Sequence, residues 1–277
     1  AATIHNTMLN LILYKGETVK MSQLDKTFCE GFVTYLANAM TIGFEIPKRG
    51  QHHQKKLAKG TARLYFNSFV TALNEAVREG IISENPNRLL KKEEKKLVCK
   101  NDSNRPHLNI EEIKTLIRTP CKNAAVKKAF LFACFCGLRV SDIKTLKWSD
   151  IRKETDGICI SKKMIKTKQV VTIPLSENAL AWMPNKGNAK LDDLVFCLPS
   201  YFTINYQIKQ WAKEAGLEKN ITFHVARHTF ATTLLTMGAD LYTTSKLLGH
   251  QNIKTTQVYA EVVNKKKVET VNLLDKI

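Results

Sequence analysis

Several features that would define a protein class are missing from this 277-residue sequence. It has no apolar run as long as a membrane span, so no transmembrane segment is expected. It has no P-loop, and no two cysteines have the CxxC spacing of a zinc or redox site, so we expect no metal and no cofactor. The seven cysteines are scattered and odd in number, which argues against a disulfide framework and indicates a reducing compartment.

Acidic residues are also scarce. The chain has 25 Asp and Glu against 43 Lys and Arg, a net charge of +18. No acidic residue lies between Glu45 and Glu75, or between Asp156 and Glu177, and both stretches contain several cations. Such clusters suit nucleic acid, because cations neutralise phosphates and release counterions. The alternative is an ordinary solvated surface. Composition therefore favours a polyanionic partner.

Helical periodicity dominates what the chain does contain. Apolar stripes at helical spacing lie over residues 8–13, 28–40 and 64–77, and further helices are predicted in the second half. The helical pattern breaks at three short β-rich runs, residues 157–161, 164–165 and 170–174, which predict a small antiparallel sheet. The predicted fold class is therefore mainly α, with one α+β part.

The sequence predicts two domains. A helical domain is expected over residues 1–90 and an α+β domain over 108–277. Residues 91–107 are rich in Lys and Glu and then in Asn and Pro, which indicates an interdomain linker. Because the chain opens on Ala rather than Met, we expect the first domain to be truncated at its N-terminus.

Four motifs of the second domain carry residues suited to phosphodiester chemistry. Arginine forks bind two phosphate oxygens at once, a phenol can attack phosphorus, and a lysine whose pKa is lowered by other cations can protonate a leaving oxygen. The motifs are Gly137-Leu-Arg-Val-Ser-Asp142, Ile165-Lys-Thr-Lys168 followed by Ile173-Pro-Leu175, His224-Val-Ala-Arg-His-Thr-Phe-Ala-Thr232, and Leu248-Gly-His-Gln-Asn-Ile-Lys-Thr-Thr-Gln-Val-Tyr-Ala-Glu261.

In this order and spacing, the motifs resemble those of the tyrosine recombinases, the phage-integrase family of site-specific DNA strand-exchange enzymes. The resemblance extends over roughly the whole second domain. It implies an integrase of a mobile element such as a conjugative transposon or prophage. It also implies cleavage and rejoining of DNA through a 3′-phosphotyrosine intermediate, without ATP or metal.

The resemblance assigns the groups that act directly on the scissile phosphate. Tyr259 is the implied nucleophile, and Arg139 and Arg227 the implied phosphate clamp. Lys166 is the implied proton donor to the 5′-oxygen. Lys168 is its rival for that role, and we prefer Lys166 because its distance from the proline that closes the hairpin suits the family. Lys168 is then expected to contact DNA.

The remaining motif residues are expected to assist. His224 and His250 are implied to hydrogen-bond the phosphate and to help proton transfer. Asp142 stands where the family often has an acid supporting the first arginine. His228 is interpreted as a packing or supporting residue rather than a catalytic one. Replacing Arg227 by Ala is expected to slow cleavage strongly with little change in the fold.

The first domain resembles the core-binding (SAM-like) domain of the same family more loosely. This likeness rests on Lys59-Gly-Thr-Ala-Arg63, the amphipathic helix after it, and the turn containing Asn85-Pro86. DNA contacts in this domain are predicted for its basic and polar side chains, which are Lys56, Lys59, Thr61, Arg63 and Asn67.

Partners and location follow from the resemblance. It implies double-stranded DNA attachment sites, a homo-tetramer assembled on DNA, and strand exchange through a Holliday junction. A DNA-bending accessory protein is compatible with such an assembly, and the expected location is cytoplasmic, at a bacterial or phage-type nucleoid. The apolar tail after Tyr259 either packs on its own domain or docks on a neighbouring protomer. An arm-binding domain, found in many integrases, is expected to lie outside this sequence.

Two other functions are compatible with these motifs. A type IB topoisomerase shares the catalytic set and would relax DNA without site preference. A non-catalytic DNA-binding protein could use the same scaffold, and its DNA binding would not depend on Tyr259. The compact motif around Tyr259 and the short hairpin favour the recombinase over the topoisomerase.

Overall fold

The computed structural model describes residues 2–42, 55–99 and 105–260, except for the side chains of Cys99 and Ala260. The chain divides into two compact units, Ala1–Asp102 and Ser103–Ile277. Within the described ranges, no helix is long and apolar enough to cross a membrane. The helices and strands are α1 (Ala2–Lys15), α2 (Lys26–Asn38), α3 (Lys59–Arg78), α4 (Lys92–Cys99), α5 (Ile110–Arg118), α6 (Ala124–Cys136), α7 (Val140–Lys144), β1 (Ile151–Glu154), β2 (Gly157–Lys163), β3 (Val170–Pro174), α8 (Glu177–Trp182), α9 (Tyr201–Glu214), α10 (Phe223–Met237), α11 (Leu241–Leu247) and α12 (Lys254–Ala260).

The first unit is a helical bundle with an aromatic core. The side chain of Asp25 accepts a hydrogen bond from the Phe28 amide and so fixes the start of α2. Phe28 and Phe32 of α2 then pack against Phe69 of α3, and the rings of Phe32 and Phe69 meet edge to face at 5.1 Å. The stripes predicted over these two helices therefore face the core, except for Met40 and Leu64 at their ends, which are exposed.

Two sequence predictions for the first unit are wrong in detail. In α1 the predicted stripe leaves Met8 57% and Leu13 64% exposed, and Leu11 and Tyr14 pack against the core instead. The predicted linker begins with helix α4, whose Val98 is buried in the same core. The high charge of α4 concealed this contact, because its apolar residues come only in its last turn.

Helix α6 lies at the centre of the second unit. It begins where the side chain of Asn123 accepts a hydrogen bond from the Val126 amide at 3.1 Å. It ends at Gly137, which has a left-handed φ of +71°. Between these ends it is buried along most of its length and packs against α8 and α10. Because α10 carries two of the predicted site residues, its packing against α6 fixes the positions from which their side chains extend.

The second unit also contains the predicted small antiparallel sheet. Its strand order is β1-β2-β3, and Ile160 of β2 pairs with Ile151 on one side and Ile173 on the other. Residues 164–165, predicted as a β-rich run, lie in the turn between β2 and β3. Strand β1 takes the third place in the sheet, and it was not predicted because its residues are mostly charged.

Candidate active site and DNA-binding residues

The turn after α6 brings Arg139 into the site. Gly137 lies so close to α10 that a Cβ atom there would be 2.4 Å from a ring carbon of Phe230. Glycine is required both for this contact and for the positive φ. Arg139 then precedes α7, half-buried, and burial lowers the pKa of its guanidinium. Its Nη1 atom is buried without a hydrogen-bond partner, which is the arrangement that an incoming anion would satisfy.

We expect Gly137→Ala to lower the free energy of unfolding by about 2–4 kcal/mol, since it adds a clash with Phe230 to the strain of a positive φ. Gly216 is a matched control, because its φ is +72° and a Cβ there would meet no atom within 4 Å. Gly216→Ala should cost only about 1–2 kcal/mol. Chemical denaturation of both variants measures the difference, and equal losses would mean that the close approach to Phe230 is unimportant.

Arg227 joins the two segments that carry the other site residues. It lies on α10 and is only 2% exposed. Its Nη1 donates to the carbonyl oxygen of Gly137 at 2.8 Å, and its Nη2 donates to the carbonyl oxygen of Leu248. Burial and the nearby Arg139 lower the pKa of Arg227 to about 9, so it keeps its charge at neutral pH. Two of its five donors hold backbone, and an arginine can bind phosphate with the rest.

His250 is positioned by the glycine before it. Gly249 has a φ of +61°, and a Cβ there would lie 2.9 Å from the side chain of Val171 on β3. This glycine therefore lets the backbone come close to the hairpin. Nδ1 of His250 hydrogen-bonds the hydroxyl of the buried Thr256 at 2.7 Å, which orients the ring. Burial, followed by the charge of Arg227, lowers the pKa of His250 to about 4.

His224 lies one turn before Arg227 on α10, and its pKa is lowered by the same neighbouring cations that act on His250. His224 is an exposed residue, and the protein beside it partly desolvates its ring. That desolvation first, and then the charges of Arg227 and Arg139, lower the pKa of His224 to about 4. Lys166 also contributes, which indicates that the hairpin lysine lies near this histidine. Without a bound anion, His224 is uncharged at neutral pH.

Tyr259 lies on α12 and is buried, with 3% of its surface exposed. Its ring packs in a cluster with Phe230, Leu235 and Leu248. The hydroxyl oxygen lies 2.6 Å from Nδ1 of His228. A negative charge on this phenol would raise the pKa values of both Arg139 and Arg227, so the hydroxyl is within electrostatic reach of the arginine pair.

Lys166 and Lys168 occupy the exposed turn between β2 and β3. The turn is closed by a hydrogen bond from the Met164 amide to the Gln169 carbonyl at 2.8 Å, and Lys168 has a left-handed φ of +61°. The buried Asp142 accepts a hydrogen bond from the Ile165 amide at 2.8 Å.

Asp142 was expected to support the first arginine. It does raise the pKa of Arg139, although burial of Arg139 is the larger effect. Its hydrogen bond, however, goes to the hairpin beside Lys166. Asp142 therefore connects the Arg139 turn to the lysine-bearing hairpin, which a motif alone does not show.

Comparisons with known proteins identify the family of this chain. Residues 106–266 match the Phage integrase family, and residues 2–97 match the Phage integrase SAM-like domain. The chain belongs to the phage integrase family. The family resemblance of the motifs, the SAM-like first domain and the fold class are thereby confirmed.

Among its relatives, tyrosine recombinase XerD of Proteus mirabilis is 34% identical over 179 residues. That alignment covers 57% of this chain and 56% of the relative, so the chain spans little more than half the length of the relatives that match first. Tyrosine recombinase XerC of Bacillus pumilus is 31% identical over 229 residues, which cover 74% of this chain and 72% of the relative.

Solved structures of the family share the fold. XerH site-specific recombinase bound to palindromic difH substrate, in a post-cleavage complex, matches 99% of this chain and 79% of its own with a TM-score of 0.70 and 18% identity. A lambda integrase dimer bound to a COC′ core site matches 93% of this chain and 87% of its own, with a TM-score of 0.68 and 17% identity.

The DNA contacts predicted for this chain fall in both units. In the first unit Lys59, Arg63 and Asn67 recur every four residues, so they share one face of α3. Thr61 lies on the first turn of the same helix, and the exposed Lys56 donates to the side chain of Asn38 at 3.3 Å. In the second unit Lys168 lies at the hairpin turn. These positions suit a nucleic-acid surface, and the contacts themselves stay predictions.

Two contacts of the candidate site were not foreseen in the sequence. His228 was expected to pack or to support the site, and its hydrogen bond to Tyr259 is the contact that was not foreseen. The signal was present, because His228 follows His224 by four residues and so lies on the same helix face. The other contact is made by Arg105, whose guanidinium lies 5.9 Å from the centre of the Tyr259 ring and lowers the pKa of the neighbouring histidines. No motif marks Arg105.

Two further observations concern metal-binding groups and the C-terminal tail. Within the described ranges, no three or more His, Cys, Asp or Glu side chains form a group that could hold a metal ion. The apolar tail after Tyr259, beginning at residue 261, lies outside the described residues. Both of its predicted placements therefore stay predictions.

Proposed function

We propose that this chain is a site-specific DNA recombinase that cleaves and rejoins double-stranded DNA through a 3′-phosphotyrosine intermediate at Tyr259. The arginine arrangement carries the proposal. Arg227 braces the carbonyls on both sides of the site, and Arg139 presents a buried donor without a partner. The hydroxyl of Tyr259 lies within electrostatic reach of both. In this proposal the hydroxyl attacks a phosphodiester that the two arginines hold.

Each remaining group has a role that its environment supports. The arginines stabilise the charge that develops on the phosphate oxygens in the transition state. Lys166, on the exposed hairpin, donates a proton to the leaving 5′-oxygen, and neutral His224 and His250 hydrogen-bond the phosphate. The tyrosyl link retains the energy of the broken phosphodiester, so rejoining needs no further energy source.

The assembly is part of the same proposal. Strand exchange between two attachment sites takes four active sites, which a homo-tetramer on DNA supplies by cutting strands in pairs through a Holliday junction. Among the matched structures, lambda integrase is a dimer on a core site and XerH site-specific recombinase is bound to its difH substrate. We propose the same for this chain, acting at the nucleoid with a bending protein as an accessory partner.

A nicked duplex tests the reaction. Cleavage beside the nick releases a short strand that diffuses away, so the covalent intermediate accumulates. Duplexes tiling the DNA on either side of the gene are mixed with the protein and separated under SDS. We expect a covalent band with some of them, and none with shuffled sequences.

Tryptic digestion can assign the adduct to a single tyrosine. Trypsin releases residues 255–265 as one peptide, and Tyr259 is its only tyrosine. We expect the DNA on this peptide. An adduct formed equally on shuffled DNA would favour the topoisomerase reading, and tight specific binding with no adduct would favour the non-catalytic one.

We also expect DNA affinity to fall steeply with salt, because phosphate contacts release counterions. In a plot of log affinity against log salt, Lys59→Ala should reduce the slope by about 0.9, the effect of one lost phosphate contact. Lys20 is a control in the same unit, exposed and away from α3. Binding titrations at several salt concentrations measure both, and an unchanged slope for Lys59→Ala removes it from the DNA surface.

A further inference from the structure

A buried hydrogen bond joins the candidate nucleophile to His228, a histidine that was expected only to pack or to support the site. The Tyr259 hydroxyl oxygen and Nδ1 of His228 are 2.6 Å apart, and the two ring centres are 5.5 Å apart. The side chains are 3% and 6% exposed. Bulk water has little access to this pair, so the phenolic hydrogen depends on the groups around it.

The surroundings of Tyr259 indicate the direction of this hydrogen bond. Its ring is packed among Phe230, Ala231, Leu235 and Leu248, which offer no side-chain acceptor. Donation from the phenol to a lone pair on Nδ1 satisfies both buried groups. The opposite direction would leave the phenolic hydrogen to find an acceptor within an apolar cluster, at a free-energy cost. The histidine hydrogen therefore belongs on Nε2.

Neighbouring groups keep the ring of His228 able to accept. Burial is the main cause that lowers its pKa, to about 3, so the ring is neutral at pH 7. Apart from Tyr259 itself, on α12, the charged and titratable groups facing it come from its own helix and from the segment before α5, and each of these lowers the pKa further. They are His224, Arg105, Arg227 and His107.

We propose that His228 holds the Tyr259 hydroxyl in place and accepts its proton when the tyrosine attacks the scissile phosphate. In this step the phenol oxygen forms its bond to phosphorus, and its hydrogen moves to Nδ1 of His228. The bond from phosphorus to the 5′-oxygen breaks, and Lys166 gives that oxygen a proton. Rejoining reverses each transfer, so His228 returns the proton to the phenol.

DNA binding would favour this transfer. The scissile phosphate brings a negative charge to Arg139 and Arg227, and that charge offsets the cations that disfavour a protonated His228. The histidine thus becomes a better proton acceptor when substrate is present. The phenol also becomes a stronger acid as its oxygen bonds to phosphorus, which brings the two groups closer in proton affinity.

The inference rests on the proposed function, since it needs Tyr259 as the nucleophile. It is tested by single-turnover adduct formation on the nicked duplex. The His228→Asn variant places an amide near the Nδ1 position and keeps a hydrogen bond, but it cannot take a proton. We expect a rate about a hundredfold lower at pH 7 with unchanged DNA affinity. The rate should rise about tenfold per pH unit, because hydroxide then removes the proton, whereas the unmodified protein should change little.

A second substrate separates the two proton transfers. A duplex with sulfur in place of the bridging 5′-oxygen has a leaving group that needs no proton. We expect this substrate to restore cleavage by Lys166→Ala and not by His228→Asn. Restored cleavage by His228→Asn would place the histidine on the leaving-group side and overturn the inference. A loss that is equal at every pH would also overturn it, because it would indicate packing alone.

A measurement on the unmodified protein does not depend on how well the variant folds. With ¹⁵N-labelled histidine, the nitrogen chemical shifts of His228 report which ring atom carries hydrogen. We expect Nδ1 to carry none, and a hydrogen on Nδ1 would overturn the inference. The two proposals fail separately: no adduct at Tyr259 refutes the function, whereas a Tyr259 adduct with an unaltered His228→Asn rate refutes only the role of the histidine.

Discussion

The Tyr259→Phe variant is expected to bind DNA as the unmodified chain does and to form no covalent adduct at all. The substitution removes one oxygen atom, and that oxygen is the atom that would bond to phosphorus. None of the candidate phosphate ligands is altered by the change, since Arg139, Arg227 and the two site histidines lie on other segments. Binding and chemistry should therefore separate completely in this variant.

The fold should survive this change with a small loss. Phenylalanine fills the same place in the cluster of Phe230, Leu235 and Leu248. The lost hydrogen bond leaves Nδ1 of His228 buried without its partner. Such a loss costs about 1 kcal/mol in free energy of unfolding, and thermal melting measures it.

A matched control is available on α9. Tyr206 is 58% exposed and lies outside the site, so Tyr206→Phe should form the adduct at the normal rate. The two variants are compared on the same nicked duplex under SDS. A covalent band that persists in Tyr259→Phe would mean that another side chain is the nucleophile.

Sequence patterns predicted the parts of this molecule that depend on local periodicity. The helices α2, α3 and α6 follow stripes or runs of apolar residues, and the hairpin follows β-branched residues between charged ones. Elements stabilised by distant contacts were harder. Helix α4 looked like a linker because its buried contact, Val98, comes from packing against helices far away in the chain.

In the candidate site, too, the sequence predicted the reactive side chains but not the contacts between distant segments. Motif spacing identified Arg139 and Tyr259 as residues suited to phosphate chemistry, because the chemistry needs those side chains. Spacing could not show that Asp142 bonds the hairpin amide of Ile165, or that Arg105 lies over the tyrosine ring. These contacts join segments well separated in sequence, and only the packed chain brings them together.

Arg227 is the position where the structure changes an expectation most. The sequence suggested that Arg227→Ala would leave the fold nearly intact. The structure shows a buried guanidinium whose two terminal nitrogens hold the carbonyls of Gly137 and Leu248. Removing it leaves both carbonyls without these donors. We therefore expect a loss of about 3 kcal/mol or more in the free energy of unfolding, measured by chemical denaturation.

The same variant should cleave at least about a thousandfold more slowly, measured as single-turnover adduct formation at a temperature where it is fully folded. Two losses add to this effect. The phosphate loses a charged donor in the transition state, and the turn carrying Arg139 and the loop carrying His250 lose their common brace. Exposed Arg152 on β1 is the matched control, and Arg152→Ala should leave both stability and rate unchanged.

The Arg227→Lys variant separates the effect of the two hydrogen bonds to backbone carbonyls from the effect of the positive charge. Lysine keeps the positive charge, but its single ammonium group cannot hold two carbonyls and a phosphate in one plane as a guanidinium does. We expect it to recover part of the lost stability and little of the lost rate. If Arg227→Ala is destabilised yet cleaves normally, the residue is a brace only, and the phosphate must be held by Arg139 and the histidines. If Arg227→Lys restores the rate fully, charge alone matters, and the geometry of the fork contributes nothing to the transition state.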